Sequence, residues 1–192
     1  MGREFVYYSG TAKTSGNFDD LMKAGRIDIA LHVIVNTFFL SHKLREDTKL
    51  HLIFYGPPTP PRHLEFVPHK YMPLSKKDLG GLIKRMLYKY KEGRKEEVFP
   101  GCYIEKKNMN ELIEELKKHG KTLYLLDERG KDIRDMKIEK DCVFILGDHH
   151  GFPLKELKSL REKAIPVSIG NKVYFASQVV AIVNNELDRM GI

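Results

Sequence analysis

The sequence predicts an α/β domain, a mostly parallel sheet with helices on both faces. Three observations carry this. Short β-branched and aromatic runs alternate with longer segments of helical apolar spacing along the whole chain. The run Cys142-Val143-Phe144-Ile145-Leu146 is apolar without a break, the pattern of a strand covered on both faces. The chain has 192 residues, 42% of them hydrophobic, which is enough for one domain with a sizeable core.

The elements follow in order. Glu4 to Ser9 is short, aromatic and β-branched, a strand, and Gly10 to Gly16 is a polar loop. Ile27, Ala30, Leu31, Ile34, Val35, Phe38 and Phe39 recur at helical spacing, which predicts a well-buried helix over Ile27 to Lys43. Lys49 to Tyr55 is a second strand. Gly56-Pro57-Pro58-Thr59-Pro60-Pro61 must be a rigid loop, because neither a helix nor a central strand tolerates those prolines. Ser75 opens a helix with Asp78 as its capping partner, and Asn108 opens another that runs to His119 and is stopped by Gly120. Thr122 to Leu126 is a strand closed by Asp127-Glu128-Arg129-Gly130. The apolar run Cys142–Leu146 leads into Gly147-Asp148-His149-His150-Gly151-Phe152-Pro153, where Pro153 suits a helix start. Ile165 to Ile169 is a further strand, and a last helix is expected from about Tyr174 to Met190.

Charge narrows the function. The formal net charge is +7, and residues 1–100 hold 17 basic against 11 acidic side chains. Between Lys70 and Lys95 nine basic residues face only Asp78 and Glu92. Such a cluster attracts phosphate backbones, although a solvated helix face has the same composition. There is no run of 18 apolar residues and no secretory leader pattern, so a cytoplasmic protein is expected. Cys102 and Cys142 lie far apart with no zinc spacing, and Cys102 has no evident base beside it. No metal is expected; adjacent His149 and His150 lack the usual ligand spacing. Walker, GxGxxG and GxSxG patterns are all missing.

Three loops at strand ends remain. Leu146 to Pro153 has glycines that let backbone approach a ligand, or it is an ordinary strand-to-helix turn. Ser168-Ile169-Gly170-Asn171-Lys172 leads into a helix rich in small and polar residues, or simply into a C-terminal core helix. Ala24-Gly25-Arg26-Ile27-Asp28 sets an arginine and a carboxylate at a helix start. Asp28 there either complements the helix dipole or works beside an anion-binding Arg26.

Together these segments resemble the SPOUT class of S-adenosylmethionine-dependent RNA methyltransferases. They are most similar to its archaeal tRNA (pseudouridine-54-N1)-methyltransferase family. The likeness covers nearly the whole chain. It includes Glu4 to Gly10, Thr14 to Phe18, Ala24 to Asp28, Phe39 to His42 and Gly56 to Arg62. Its most specific parts are Leu146 to Pro153 and Asn184-Asn185-Glu186-Leu187-Asp188-Arg189. One departure from the wider class is Gly147-Asp148-His149 where Asn-Glu-Gly is common.

The resemblance implies one domain over residues 1–192, with a basic RNA-facing half (1–100) and a trefoil-knotted cofactor half (101–192). It also implies a homodimer. Leu126, Leu146, Gly147, Ile169 and Gly170 would hold the adenine and ribose of S-adenosylmethionine, and Val173, Tyr174, Phe175 and Ser177 would close over it. Asp28 would take the N1 proton, with Asp148 as second choice, and Arg26 would face an anion or phosphate. Arg26, Arg62, Lys76, Lys77, Lys84 and Arg85 would contact tRNA. A ribosomal RNA methyltransferase of the Nep/Emg type, an RNA-binding protein without catalysis and an α/β enzyme using another nucleotide are the rival readings.

Overall fold

A computed structural model describes residues 2–73 and 75–192. Its frame is a single sheet of eight strands in the order β4-β5-β3-β2-β1-β7-β6-β8. The strands are β1 (Arg3–Ser9), β2 (Thr48–Phe54), β3 (Arg62–Phe66), β4 (Glu96–Phe99), β5 (Cys102–Glu105), β6 (Thr122–Asp132), β7 (Cys142–Leu146) and β8 (Ile165–Ser168). The helices are α1 (Ile27–Phe38), α2 (Lys76–Lys89), α3 (Met109–Lys118), α4 (Leu154–Lys163) and α5 (Ala176–Met190).

The run from β2 through β1, β7 and β6 to β8 is parallel, as the unbroken apolar β7 requires. Alternation then splits the core. Phe5, Tyr7, Leu50, Leu52 and Phe144 pack with residues of α1, α2 and α5 on one face. Val6, Ile53, Val143 and Ile145 pack with α3 and α4 on the other.

Three strands are absent from the expectation. β3, β5 and β4 add an antiparallel wing beyond β2. His63 and Glu65 on β3, and Tyr103 and Glu105 on β5, interrupt the apolar residues at alternate positions, so no apolar run marks them. α1 stops at Phe38 and not at Lys43, because Phe39 turns to extended backbone (φ −90°, ψ 129°) and bridges Leu44. α5 starts at Ala176 and not at Tyr174. β6 runs on to Asp132, past its expected end. Its 127–130 segment bulges, and Lys131 and Asp132 rejoin β8 at Val167 and Ser168. Gly130 makes that return possible, since a Cβ there would stand 2.5 Å from the Val167 amide nitrogen.

The expected caps are present. The Ser75 hydroxyl accepts from the Asp78 amide at 3.1 Å and donates to its carboxylate at 2.6 Å. Asn108 and Glu111 exchange bonds in a full capping box. The outermost strands differ in chemistry: β4 begins Glu96-Glu97, and β8 carries Pro166 in its interior.

Candidate functional site

Three loops at the carboxyl ends of β6, β7 and β8 enclose a cleft of about 690 Å³. That volume suits a nucleoside-sized ligand, and this end of a parallel sheet is where such ligands bind. Leu126, Leu146, Val167, Ile169 and Val179 supply apolar wall, and Gly147 and Gly170 supply bare backbone. Gly170 stands at φ +129°, and a Cβ placed on it would meet nothing within 4 Å. Val173, Tyr174 and Phe175 form the rim and are 91%, 42% and 65% exposed. Every residue expected at the cofactor lines this cleft except Ser177, which is buried in the first turn of α5.

Asp148 fixes the middle loop. Its carboxylate accepts from the Ser9 hydroxyl at 3.1 Å, the Gly10 amide at 2.9 Å and the His150 amide at 2.9 Å. This ties the end of β1 to the end of β7 and closes the turn on which Gly147 sits. The bond from the His150 amide is an Asx turn. His149 and His150 line the cleft side by side, and neither belongs to a cluster of metal-ligating groups among the described residues.

Arg26 and Asp28 stand next to this cleft, where α1 begins. Ile29, the next residue, is part of the cleft wall. Gly25 (φ +75°) and Arg26 (φ +63°) are both left-handed, and Arg26 is the one non-glycine residue so placed among the described residues. Strain of this kind, about 1–3 kcal/mol, persists where surrounding structure enforces it. The enforcement is visible: the Thr11 hydroxyl donates to the Gly25 carbonyl at 3.1 Å, and Lys13 donates to Ala24 at 3.0 Å. Thr14 in turn bonds to Gly56 and Thr59 of the proline loop. The result aims a two-point guanidinium–carboxylate pair, with both contacts 3.0 Å. The hydrogen bonds from Arg26 hold the Asp28 carboxyl below the usual carboxylate range. Tyr7 is buried on β1, and its phenol is raised by burial first and by the Asp148 and Asp28 charges after it.

The basic cluster divides. Lys76, Lys77 and Arg85 are exposed on α2. Lys84 pairs with Asp19 at 3.3 Å. Arg62 does not face solvent: it is 4% exposed, donates to Thr59 and to the Pro61 carbonyl at 2.8 Å each, and stacks on Tyr90 at 3.5 Å. Its expected phosphate contact gives way to buttressing of the proline loop. Two features at the cleft went unseen in the sequence. Arg161 of α4 reaches Asp127 at 2.7 Å, and Gln178 accepts from the Phe175 amide at 3.0 Å. Only the bend of β6 back onto β8 brings Asp127 to α4, so no spacing in the sequence marks that pair.

The segment Asn184 to Arg189 lies away from the cleft. Asn184 bonds to the Asn36 carbonyl at 3.0 Å, Asp188 binds Arg3 at 2.8 Å and Arg45 at 2.6 Å, and Glu186 holds Arg134 at 3.0 Å. It clasps α5 to α1 and to the start of β1.

Comparison with known proteins agrees with this geometry. A family model described as a SAM-dependent RNA methyltransferase matches residues 2–192. A protein of Methanococcoides burtonii named tRNA (pseudouridine(54)-N(1))-methyltransferase is 36% identical over 97% of this chain and 96% of its own length. One of Pyrococcus abyssi with the same name is 34% identical over 99% of both. Among solved structures, Archaeoglobus fulgidus Nep1 bound to S-adenosylhomocysteine superposes with a TM-score of 0.68 over 100% of this chain and 99% of its own, at 18% identity. That likeness speaks for the fold.

Proposed function

Since the chain belongs to this family of SAM-dependent RNA methyltransferases, we propose that it methylates N1 of pseudouridine 54 in the T-loop of tRNA. The observation that carries the substrate is the full-length identity of 34–36% to relatives bearing that name. A ribosomal substrate of the Nep type rests on the 18% likeness of fold alone.

The cleft fits the cofactor. It combines apolar walls for a flat base, glycine backbone at Gly147 and Gly170 for close approach, and an apolar rim at Val173, Tyr174 and Phe175. S-adenosylmethionine, when bound there, supplies an electrophilic methyl on a sulfonium. The chain then has to orient the pyrimidine ring and manage one proton. N1 of pseudouridine carries a hydrogen that leaves as the N1–methyl bond forms. Asp28 is ionised at neutral pH and accepts that proton; Arg26 offsets the negative charge on the ring. Asp148, with three donors already on its oxygens, shapes the loop. Lys76, Lys77, Lys84 and Arg85 guide tRNA phosphates along α2.

The exposed Val173, Phe175 and Leu154 (86% exposed) support a homodimer that covers them. The 101–192 half is read as trefoil-knotted, supported by the pairing of β8 with β6 on both sides of the 127–130 bulge. No helix among the described residues is long and apolar enough to cross a membrane, and a cytoplasmic site of action is part of this reading.

The test is transfer of labelled methyl from S-adenosylmethionine to two tRNAs that differ only in pseudouridine or uridine at position 54. Label on the pseudouridine tRNA alone is expected. Label on both, or on neither while ribosomal RNA is labelled, would overturn the assignment.

A further inference from the structure

Far from the cleft, the antiparallel wing buries a row of ionisable side chains. His51 on β2 and His63 on β3 are 2% and 0% exposed, and their facing nitrogens, Nδ1 of His51 and Nε2 of His63, are 2.9 Å apart. Each outer nitrogen meets a carboxylate at 3.0 Å: Glu4 for His51 and Glu105 for His63. Lys121 binds Glu4 at 2.9 Å, and Lys107 binds Glu105 at 2.8 Å.

Proton counting makes this arrangement incomplete. Glu4 and Glu105 each also accept from a lysine ammonium, so both stand as carboxylates between two donors. Each is therefore a pure acceptor, so each outer ring nitrogen carries the hydrogen. A neutral imidazole has only one. Two neutral rings would then point bare lone pairs at each other across 2.9 Å. A cation has to stand between them.

A third ligand faces the same point. Glu65, 8% exposed, lies two residues after His63 on the same face of β3 and is paired in register with His51. Its Oε2 is 3.8 Å from the His51 Nδ1, and the three ligand atoms all lie within 4.8 Å of one another. We propose that His51, His63 and Glu65 bind a divalent transition-metal ion, zinc by its donor set, which clamps β2 to β3. Two imidazoles and one carboxylate are borderline-soft ligands suited to zinc. The outer carboxylates Glu4 and Glu105 are the partners that orient metal-bound histidines and fix their tautomers. At zinc–nitrogen distances of about 2.0–2.1 Å the two nitrogens need to part by only a few tenths of an ångström. Lys95, 3.0 Å from Glu65, is partly exposed and can leave that oxygen. None of the three ligands lines the cleft, so the role is structural, and it departs from the expectation of no metal.

The test uses the full chain with no affinity tag. Metal content is measured by mass spectrometry after gel filtration, and melting is followed with chelator, Zn2+ or Mg2+. About one zinc per chain is expected. Chelation should lower Tm by several degrees, with recovery on Zn2+ and not on Mg2+. Glu65→Gln, nearly isosteric, should weaken zinc retention at least tenfold; His63→Asn should abolish it. A metal-free protein whose Tm ignores Zn2+, with three ring N–H protons shared by His51 and His63 in nitrogen-edited spectra, would overturn the proposal in favour of a trapped proton. Full zinc retention by Glu65→Gln would overturn the ligand set.

Discussion

The guanidinium of Arg26 grips the carboxylate of Asp28 at two points, Nε to Oδ1 and Nη2 to Oδ2, each 3.0 Å. The two residues are only two apart in sequence, and the contact forms where the left-handed turn at Arg26 leads into the start of α1. The pair is partly exposed, 41% and 23% by side chain, so it can be altered without opening the core.

Arg26→Ala should lower kcat/KM by about 10²-fold, the usual scale for removing one donor that faces developing negative charge. Asp28→Asn should lower kcat more than it raises KM. Steady-state kinetics on pseudouridine tRNA decide this, with circular dichroism to show that the fold is kept. Full activity in both variants would end the assignment.

Gly25→Ala tests the backbone that aims the pair. A Cβ there would fall 1.8 Å from the Thr11 carbonyl oxygen, at φ +75°. A loss of about 2–3 kcal/mol is expected, seen as a Tm drop of roughly 5–10 °C, together with lost activity.

Arg85→Glu should raise KM for tRNA and reduce the salt slope by about one per lost phosphate contact, leaving kcat unchanged. Lys84→Glu should do less, because Asp19 already holds that ammonium. A salt slope unchanged in Arg85→Glu would remove α2 from the interface.

Arg62→Lys gives the opposite signature. It loses the fork to Thr59 and Pro61 and the stack on Tyr90, so stability should fall by about 1–3 kcal/mol while the salt slope stays as in the parent. Denaturant melts and salt titrations separate the two effects.

Asp188 links stability to pH. Hydrogen bonds from Arg45, against the cost of burial, and then from Arg3, hold its carboxyl below the usual range. A depressed folded value means the contribution is present above the unfolded carboxylate value of about 3.9 and fades as pH falls below it. Asp188→Asn should therefore lower the urea midpoint at pH 7, and the gap to the parent should narrow near pH 3.

Much of this molecule was legible in the residues, and the illegible parts have physical reasons. Capping at Ser75 and Asn108 is local chemistry. β7 announces itself because both its faces are covered. Leu126, Leu146 and Ile169 could be placed at strand ends, so the cleft followed from the parallel sheet. β3 and β5 could not be seen, because their core residues Leu64, Phe66, Cys102 and Ile104 alternate with polar ones, such as His63 and Glu105, that pair across strands. The partnership of His51 with His63 depends on an antiparallel register that no periodicity encodes. The same holds for Arg62: an arginine beside a proline loop looks free until the loop folds over it. Asn184 to Arg189, one of the most specific parts of the resemblance, proves to be a clasp, since Asn36, Arg45 and Arg3, 143 or more residues away, give it its meaning.

An open sheet of eight strands also has two unpaired borders, and each could recruit another chain during folding or on heating. Here the borders carry different deterrents. At β4 the deterrent is charge, Glu96 and Glu97, so a second copy would have to bury carboxylates to add on. At β8 it is Pro166, which removes one of the few free amides on a strand of four residues. Solubility of this chain under heat stress therefore rests on a handful of edge positions that do not themselves line the cleft. Pro166→Thr or Glu97→Val would leave methyl transfer intact and shorten the time to visible aggregation.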